Sequence, residues 1–143
     1  VNVQIIIRPY ESTDQAQVIA LWSDIFKDGP PWNEPAAMIR RKLTVQPELF
    51  LVAAINDQVV GTVMAGFDGV RGWIHHLAVQ GSFRRQGIAS SLMRAAEEGL
   101  ENAGCPKVNL QVRATNSEVI AFYRSLGYEL EERASLGKRL SAG

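Results

Sequence analysis

Residues 77–93 read LAVQGSFRRQGIASSLM, and the order of chemistries in them is informative. Leu77, Ala78 and Val79 end an apolar, strand-type run. From Ile88 onward the apolar residues Ile88, Leu92, Ala95, Ala96 and Leu100 repeat at helical spacing. Between strand and helix stand Arg84, Arg85, Gln86 and Gly87. The first turn of a helix carries N–H groups without partners and a partial positive charge. Two guanidiniums and a residue without Cβ at that point suit an anion such as a phosphate or pyrophosphate. The competing reading is a solvated arginine pair before an ordinary helix. Neither G-x-x-x-x-G-K-S/T nor G-x-G-x-x-G occurs, which argues against a P-loop and against a Rossmann dinucleotide site.

Working outward, VQIIIRPY (3–10) reads as a strand stopped by Pro9. ESTDQAQVIALWSDIF (11–26) changes to helical period, with Ser12 or Thr13 as N-cap. KDGPPWNEP (27–35) is a loop, and PAAMIRRKLTVQ (35–46) a helix opening on Pro35. Strands follow over 48–57, 58–69 and 71–80, with a turn at Asn56-Asp57, which predicts an antiparallel meander. The helix from Gly87 ends at Gly104 and leads to a buried-type strand KVNLQVRA (107–114) through a parallel crossover. TNSEVIAFYRSLGY (115–128) is a short helix with capping-box spacing from Thr115 to Glu118. YELEER (128–133) and ASLGKRL (134–140) are expected as two closing strands. There is no repeat and no linker, so residues 1–143 are expected to form one domain.

Fifteen basic and fifteen acidic residues cancel, and hydrophobic residues make up 46% of the chain. That composition supports a packed core and disfavours broad electrostatic capture of nucleic acid. Cys105 is the only cysteine, and no Cys/His cluster suggests a metal. No run is long enough to span a membrane and no signal peptide is seen, so the expected setting is cytoplasmic. The oligomeric state is left open, a homodimer included.

LAVQGSFRRQGIASSLM resembles the central signature of the GNAT superfamily of acyl-CoA-dependent N-acetyltransferases, Q/R-x-x-G-x-G/A, met here by Arg84-Arg85-Gln86-Gly87-Ile88-Ala89. VRATNSEVIAFYRSLGY (112–128) is similar to its second signature. The PPWNEP loop and the SLGKRL end resemble a small bacterial branch, the YpeA-like acetyltransferases. The resemblance implies an α/β (α+β) fold: a mixed, mostly antiparallel sheet splayed at its centre, with helices on both faces. It implies acetyl-CoA as cosubstrate, no metal, and an amine acceptor, either a small molecule or a peptide. The pyrophosphate would sit on the N–H groups from Arg85 to Ala89, with Arg84 and Ser90 beside it. The pantetheine arm would run along Leu77, Ala78 and Val79. Asn116 would bind the pantetheine or a water, or act as a plain helix cap. Phe122 and Tyr123 fall in the cofactor motif. Tyr123 would protonate the departing thiolate, or else serve as a core aromatic.

The glutamates that relatives use as bases are absent: Trp73 and Gln111 stand at those positions. His75 and His76 are the nearest substitutes, and strict strand alternation would put one of them on the cleft side. A packed histidine and a water chain to solvent are the alternatives. Trp32, Asn33 and Glu34 are candidate acceptor contacts, although a loop tryptophan also serves to cover a core edge. Arg40, Arg41 and Lys42 read as a solvated helix face. The activity expected is acetyl transfer to an amine by direct attack in a ternary complex. A non-catalytic acyl-CoA sensor of the same fold and an unrelated phosphate-binding module are the rival readings.

Overall fold

Asn56 and Asp57 reverse the chain with both φ angles positive, 49° and 64°, a two-residue hairpin that short polar side chains tolerate. They join β2 (Phe50–Ile55) to β3 (Gln58–Phe67), with Ile55 opposite Gln58. The structure, a computed structural model, describes residues 4–27 and 29–140. Val3, at the head of the first expected strand, and Asp28, in the expected loop, lie outside the described residues. β1 (Ile5–Pro9) pairs antiparallel with β2, and β4 (Gly72–Val79) antiparallel with β3. β5 (Val108–Leu110) pairs parallel with β4, so the sheet order is β1-β2-β3-β4-β5. The expected meander and parallel connection are both present.

The chain forms two compact units, Val1–Leu110 and Gln111–Gly143. The first holds the sheet, α1 (Gln15–Ile25), α2 (Pro35–Lys42) and α3 (Ile88–Asn102). Neighbouring residues of β3 show how its helices divide between the two faces. Thr62 accepts a hydrogen bond from Trp22 Nε1 of α1 (2.8 Å). Gly61, one residue earlier and facing the other way, lies against α3: a Cβ there would stand 3.0 Å from Leu92 Cδ1 and 3.3 Å from Ile88 Cγ2. Trp22, Val18, Phe50 and Val52 fill the core on the α1 face, and Ile88, Leu92, Met93, Ala96 and Leu100 are buried on α3. Met93 joins the expected stripe. Gly104, at φ 89°, follows the end of α3 as expected.

Four local readings change. Ser12 and Thr13 do not cap α1; a 3-10 turn over Ser12–Asp14 precedes it, and Asp14 accepts from the Glu11 N–H (2.8 Å) and twice from Arg8 (2.8 and 2.9 Å). β5 is three residues long rather than eight. In the second unit, α4 (Ser117–Ser125) is capped by Asn116 rather than Thr115. Residues 128–140 form no strand, because alternation supplies a suitable face but not a partner to pair with.

β4 and β5 pair only over 72–74 and 108–110. β4 runs on to Val79 with no strand on its outer edge among the described residues. The sheet therefore opens between β4 and the edge strand β5, along the stretch LAV, rather than at its centre.

Candidate active site

β4 departs from regular pleating where it leaves β5. Met64 pairs with His75, but Thr62 pairs with Ala78, so β4 carries one residue more than β3 across this step. That is a β-bulge, and His76 within it takes a left-handed φ of 51°. A branched-ring residue in this region carries a cost of roughly 1–2 kcal/mol. The surroundings offset it. The His76 carbonyl accepts from Thr62 Oγ1 (3.0 Å), and its ring packs 4.7 Å from Trp22 and 4.6 Å from Phe26 between centroids.

The bulge corrects the expectation of strict alternation. His75 stands opposite Met64, which belongs to the core on the α1 face, and His76 contacts α1 directly, so both histidines face the same side. Burial and the neighbouring His75 push the His76 imidazole down to about 4. His75 keeps solvent access, yet burial and the charge of Lys42 hold it below its ordinary value. Trp73, one of the two residues that stand where relatives carry a base, donates from Nε1 to Asp68 Oδ2 (3.3 Å).

Beyond Val79, a 3-10 turn over Gly81–Phe83 leads to the arginine pair. Arg85 and Gly87 both take positive φ, 63° and 78°. Gly87 is the N-cap residue of α3 and supplies no side-chain cap; the first intrahelical bond is Ser91 N–H to the Gly87 carbonyl (3.0 Å). The N–H groups of Ile88, Ala89 and Ser90 therefore have neither an intrahelical acceptor nor a capping side chain. A Cβ on Gly87 would meet nothing within 4 Å, so the space before these amides is open. Arg84 and Arg85 are exposed beside it, and Arg84 Nε reaches the Val79 carbonyl at 3.5 Å. Open amides, two guanidiniums and no carboxylate of their own suit a phosphate or pyrophosphate group. Leu77, Ala78, Val79, Arg84, Arg85, Gln86, Gly87, Ile88, Ala89 and Ser90 thus form one continuous path along a strand edge into a helix start.

Elsewhere in the first unit, Trp32 and Asn33 lie on the 3-10 turn Pro31–Asn33 that leads into α2, with Trp32 exposed. Arg41 Nη2 donates to the Trp32 carbonyl (2.9 Å). Glu34, a candidate acceptor contact, is instead the N-cap of α2, accepting from Ala36 and Ala37 N–H (3.1 and 2.9 Å). Lys42 departs from the solvated face read for it. β2 begins opposite Met64, so Ala65 to Phe67 have no strand on that side. Lys42 Nζ donates to the Ala65 carbonyl (2.5 Å), and the Gln46 amide brackets Phe67 (2.7 and 3.0 Å).

Three site residues belong to the second unit. Asn116 Oδ1 accepts from Val119 N–H at 3.3 Å, the cap role. Phe122 and Tyr123 meet edge to face at 5.2 Å between centroids, and Tyr128 stands 5.7 Å from Tyr123. Tyr123 is buried, and burial pushes its hydroxyl up to about 12, so it stays protonated at neutral pH. Gln111 donates to Ser135 Oγ (2.6 Å). The sequence reading assigns no site role to Thr62, and to Lys42 only a place on a solvated face. A single hydroxyl inside the apolar run QVVGTVMAGF was a usable signal for the first.

The model of the acetyltransferase (GNAT) family matches residues 17–128. The chain belongs to that family. An acetyltransferase of Yersinia enterocolitica, YE1169, is 44% identical over 136 residues, 94% of each chain. Ard1 from Thermoplasma volcanium superposes with a TM-score of 0.81 at 27% identity, covering 90% of this chain and 85% of that one. Aminoglycoside N-acetyltransferase AAC(6')-Iy, solved in complex with CoA, superposes with a TM-score of 0.82 at 19% identity over 97% of both chains. This GNAT protein is an acetyl-CoA-dependent acetyltransferase, which sets aside the unrelated phosphate-binding module. No helix among its described residues is long and apolar enough to cross a membrane.

Proposed function

We propose that the protein transfers acetyl from acetyl-CoA to a weakly basic amine, such as an α-amine, by direct attack in a ternary complex. The observation that carries the reading is the unpartnered β4 edge, which leads past Val79 to the uncapped start of α3. Along it, the backbone of Leu77, Ala78 and Val79 holds the pantetheine arm through those of its amides that face away from β3, and the amides from Arg85 to Ser90, with both guanidiniums, hold the pyrophosphate. The family match spans both compact units, and we take them to work as one functional domain.

Bound acetyl-CoA supplies an activated acyl group: the acceptor nitrogen bonds to the acyl carbon, the C–S bond breaks, and one proton passes from nitrogen to base. His75 is neutral at pH 7 and open to solvent, so it takes that proton directly or through water. Tyr123 is carried over from the second signature motif as the group that protonates the thiolate. A base held below the ordinary imidazole value is weak. Freeing a lysine-type amine at pH 7 costs about 3–4 kcal/mol more than freeing an α-amine, which favours the latter as acceptor.

Calorimetry with acetyl-CoA against ATP, followed by free-thiol release over a panel of amines and peptides, tests this reading. Acetyl-CoA binding with ATP silent, and thiol release fastest for α-amines, is the expected result. Release confined to lysine-type amines removes the α-amine reading.

A further inference from the structure

Among the described residues the ammonium of Lys42 has one hydrogen-bond acceptor and no counter-ion. It is half-buried and donates to the Ala65 carbonyl at 2.5 Å, leaving two of its three N–H groups for other partners. Ion pairs join Arg8 to Glu11 and Asp14, and Lys27 to Asp24; none among the described residues involves Lys42, so no described carboxylate lies within 4 Å of it. Glu48 acts on it only at longer range. A half-buried cation without an anion at contact distance is costly unless something else supplies the charge.

Its position ties it to the acceptor side. Ala65, which it binds, pairs with Ile74, and the flanking residues Gly66 and Met64 pair with Trp73 and His75. Gly66 has no side chain, and a Cβ there would stand 3.6 Å from Lys42 Nζ. The ammonium therefore lies over the glycine floor between Trp73 and His75, on the sheet face that carries α1. Its charge reaches His75, the residue assigned to take the proton.

We propose that Lys42 binds an oxyanion on the acceptor, so that the substrate of this enzyme is an amine bearing a carboxylate or phosphate beside its reactive nitrogen. The inference rests on the reading of His75 as the acceptor side of the site. It separates this protein from enzymes that take polycationic amines such as aminoglycosides, since a second positive charge would be repelled from the same floor.

Matched peptide α-amines test it by free-thiol release: peptides with N-terminal Asp or Glu against Asn or Gln for a carboxylate, N-terminal phosphoserine against serine for a phosphate, and an aminoglycoside as the cationic arm. The anionic member of at least one pair is expected to exceed its uncharged partner in kcat/KM by roughly tenfold or more, the worth of a charge-assisted bond. Whichever pair shows the preference identifies the oxyanion. In Lys42→Gln, which keeps a donor for Ala65 but loses the charge, that ratio falls towards one; in Lys42→Arg it is retained. A thermal melt checks that both variants fold. Absence of turnover for every anionic member, a preference for the uncharged peptides or the aminoglycoside, or an anion preference unchanged in Lys42→Gln overturns the proposal. Acetyl-CoA calorimetry on the same samples separates the two claims: no binding defeats the functional reading itself, whereas binding without anion preference defeats only the role of Lys42.

Discussion

The hydroxyl of Thr62 donates to the carbonyl of His76 across 3.0 Å, at the point where β4 bulges away from regular register. The same oxygen accepts from Trp22 Nε1 at 2.8 Å. One fully buried hydroxyl thus ties α1 to the bulge that leads into the open strand edge. Thr62→Val keeps the shape and leaves both partners unpaired. It should cost about 1–3 kcal/mol, read as a melting loss on the order of 3–10 °C. Thr62→Ser should recover most of it. Equal melting of the valine variant and the wild type would show that the bulge holds without the hydroxyl.

The loop before α3 makes its own prediction. Gly87 has φ 78° and open space around its missing Cβ, so Gly87→Ala strains the backbone by about 1 kcal/mol without a clash. Gly87→Asp adds a negative charge where phosphates are proposed to sit. It should abolish measurable acetyl-CoA binding in calorimetry while the protein still melts cooperatively. Arg84→Ala and Arg85→Ala should each weaken binding by about 1–3 kcal/mol at low salt and less at high salt. Full affinity in folded Gly87→Asp would move the pyrophosphate elsewhere.

These sites differ in how far local sequence could reveal them. The Asn56-Asp57 turn was legible because positive φ at both central positions restricts residue choice, and α3 because its apolar period is long and ends at Gly104. The loop around Gly87 was legible for the same local reasons. The bulge was not: His75-His76 reads as plain alternation, and only Thr62, Trp22 and Phe26, far away in sequence, hold His76 in a left-handed backbone. Lys42 looked solvated because its partner, the Ala65 carbonyl, is exposed to it only where β2 begins too late to cover β3. The closing strands read over 128–140 fail for the complementary reason, since a strand face is encoded locally and its partner is not.

His76 makes stability depend on pH. Its imidazole is pushed down to about 4 in the fold from an ordinary value of 6.5, so between these limits the unfolded chain binds the extra proton. Stability should be fully present above about 6.5 and decline as pH falls through that window towards 4. His75, also held low, adds to the same trend. Asp14 acts further down: Arg8 holds its carboxyl below 3.8, so its contribution is lost only as pH falls below that value. Melting temperature against pH from 7.5 to 4 reads the sum. His76→Asn, which tolerates left-handed backbone and does not titrate here, should lower the melting point throughout and flatten the slope. An unchanged slope would assign the acid sensitivity to other groups.

Tyr123 offers the sharpest separation of chemistry from packing. Its hydroxyl is pushed up to about 12 by burial, so at neutral pH it can give a hydrogen bond or a proton but cannot act as a base. If it assists the leaving thiolate, Tyr123→Phe should lower kcat and leave acetyl-CoA affinity nearly intact. A positioned proton donor contributes about 10²–10⁴ in rate, and a thiol is a fair leaving group unaided, so the low end, roughly a hundredfold, is expected. If the ring serves only to pack against Phe122 and Tyr128, phenylalanine keeps those contacts, and the rate should hardly move. Thiol-release kinetics and a thermal melt on the same preparation decide between the two roles. A slow, well-folded variant with normal acetyl-CoA affinity assigns the proton to Tyr123, whereas a normal rate removes the acid role and leaves thiolate departure to solvent.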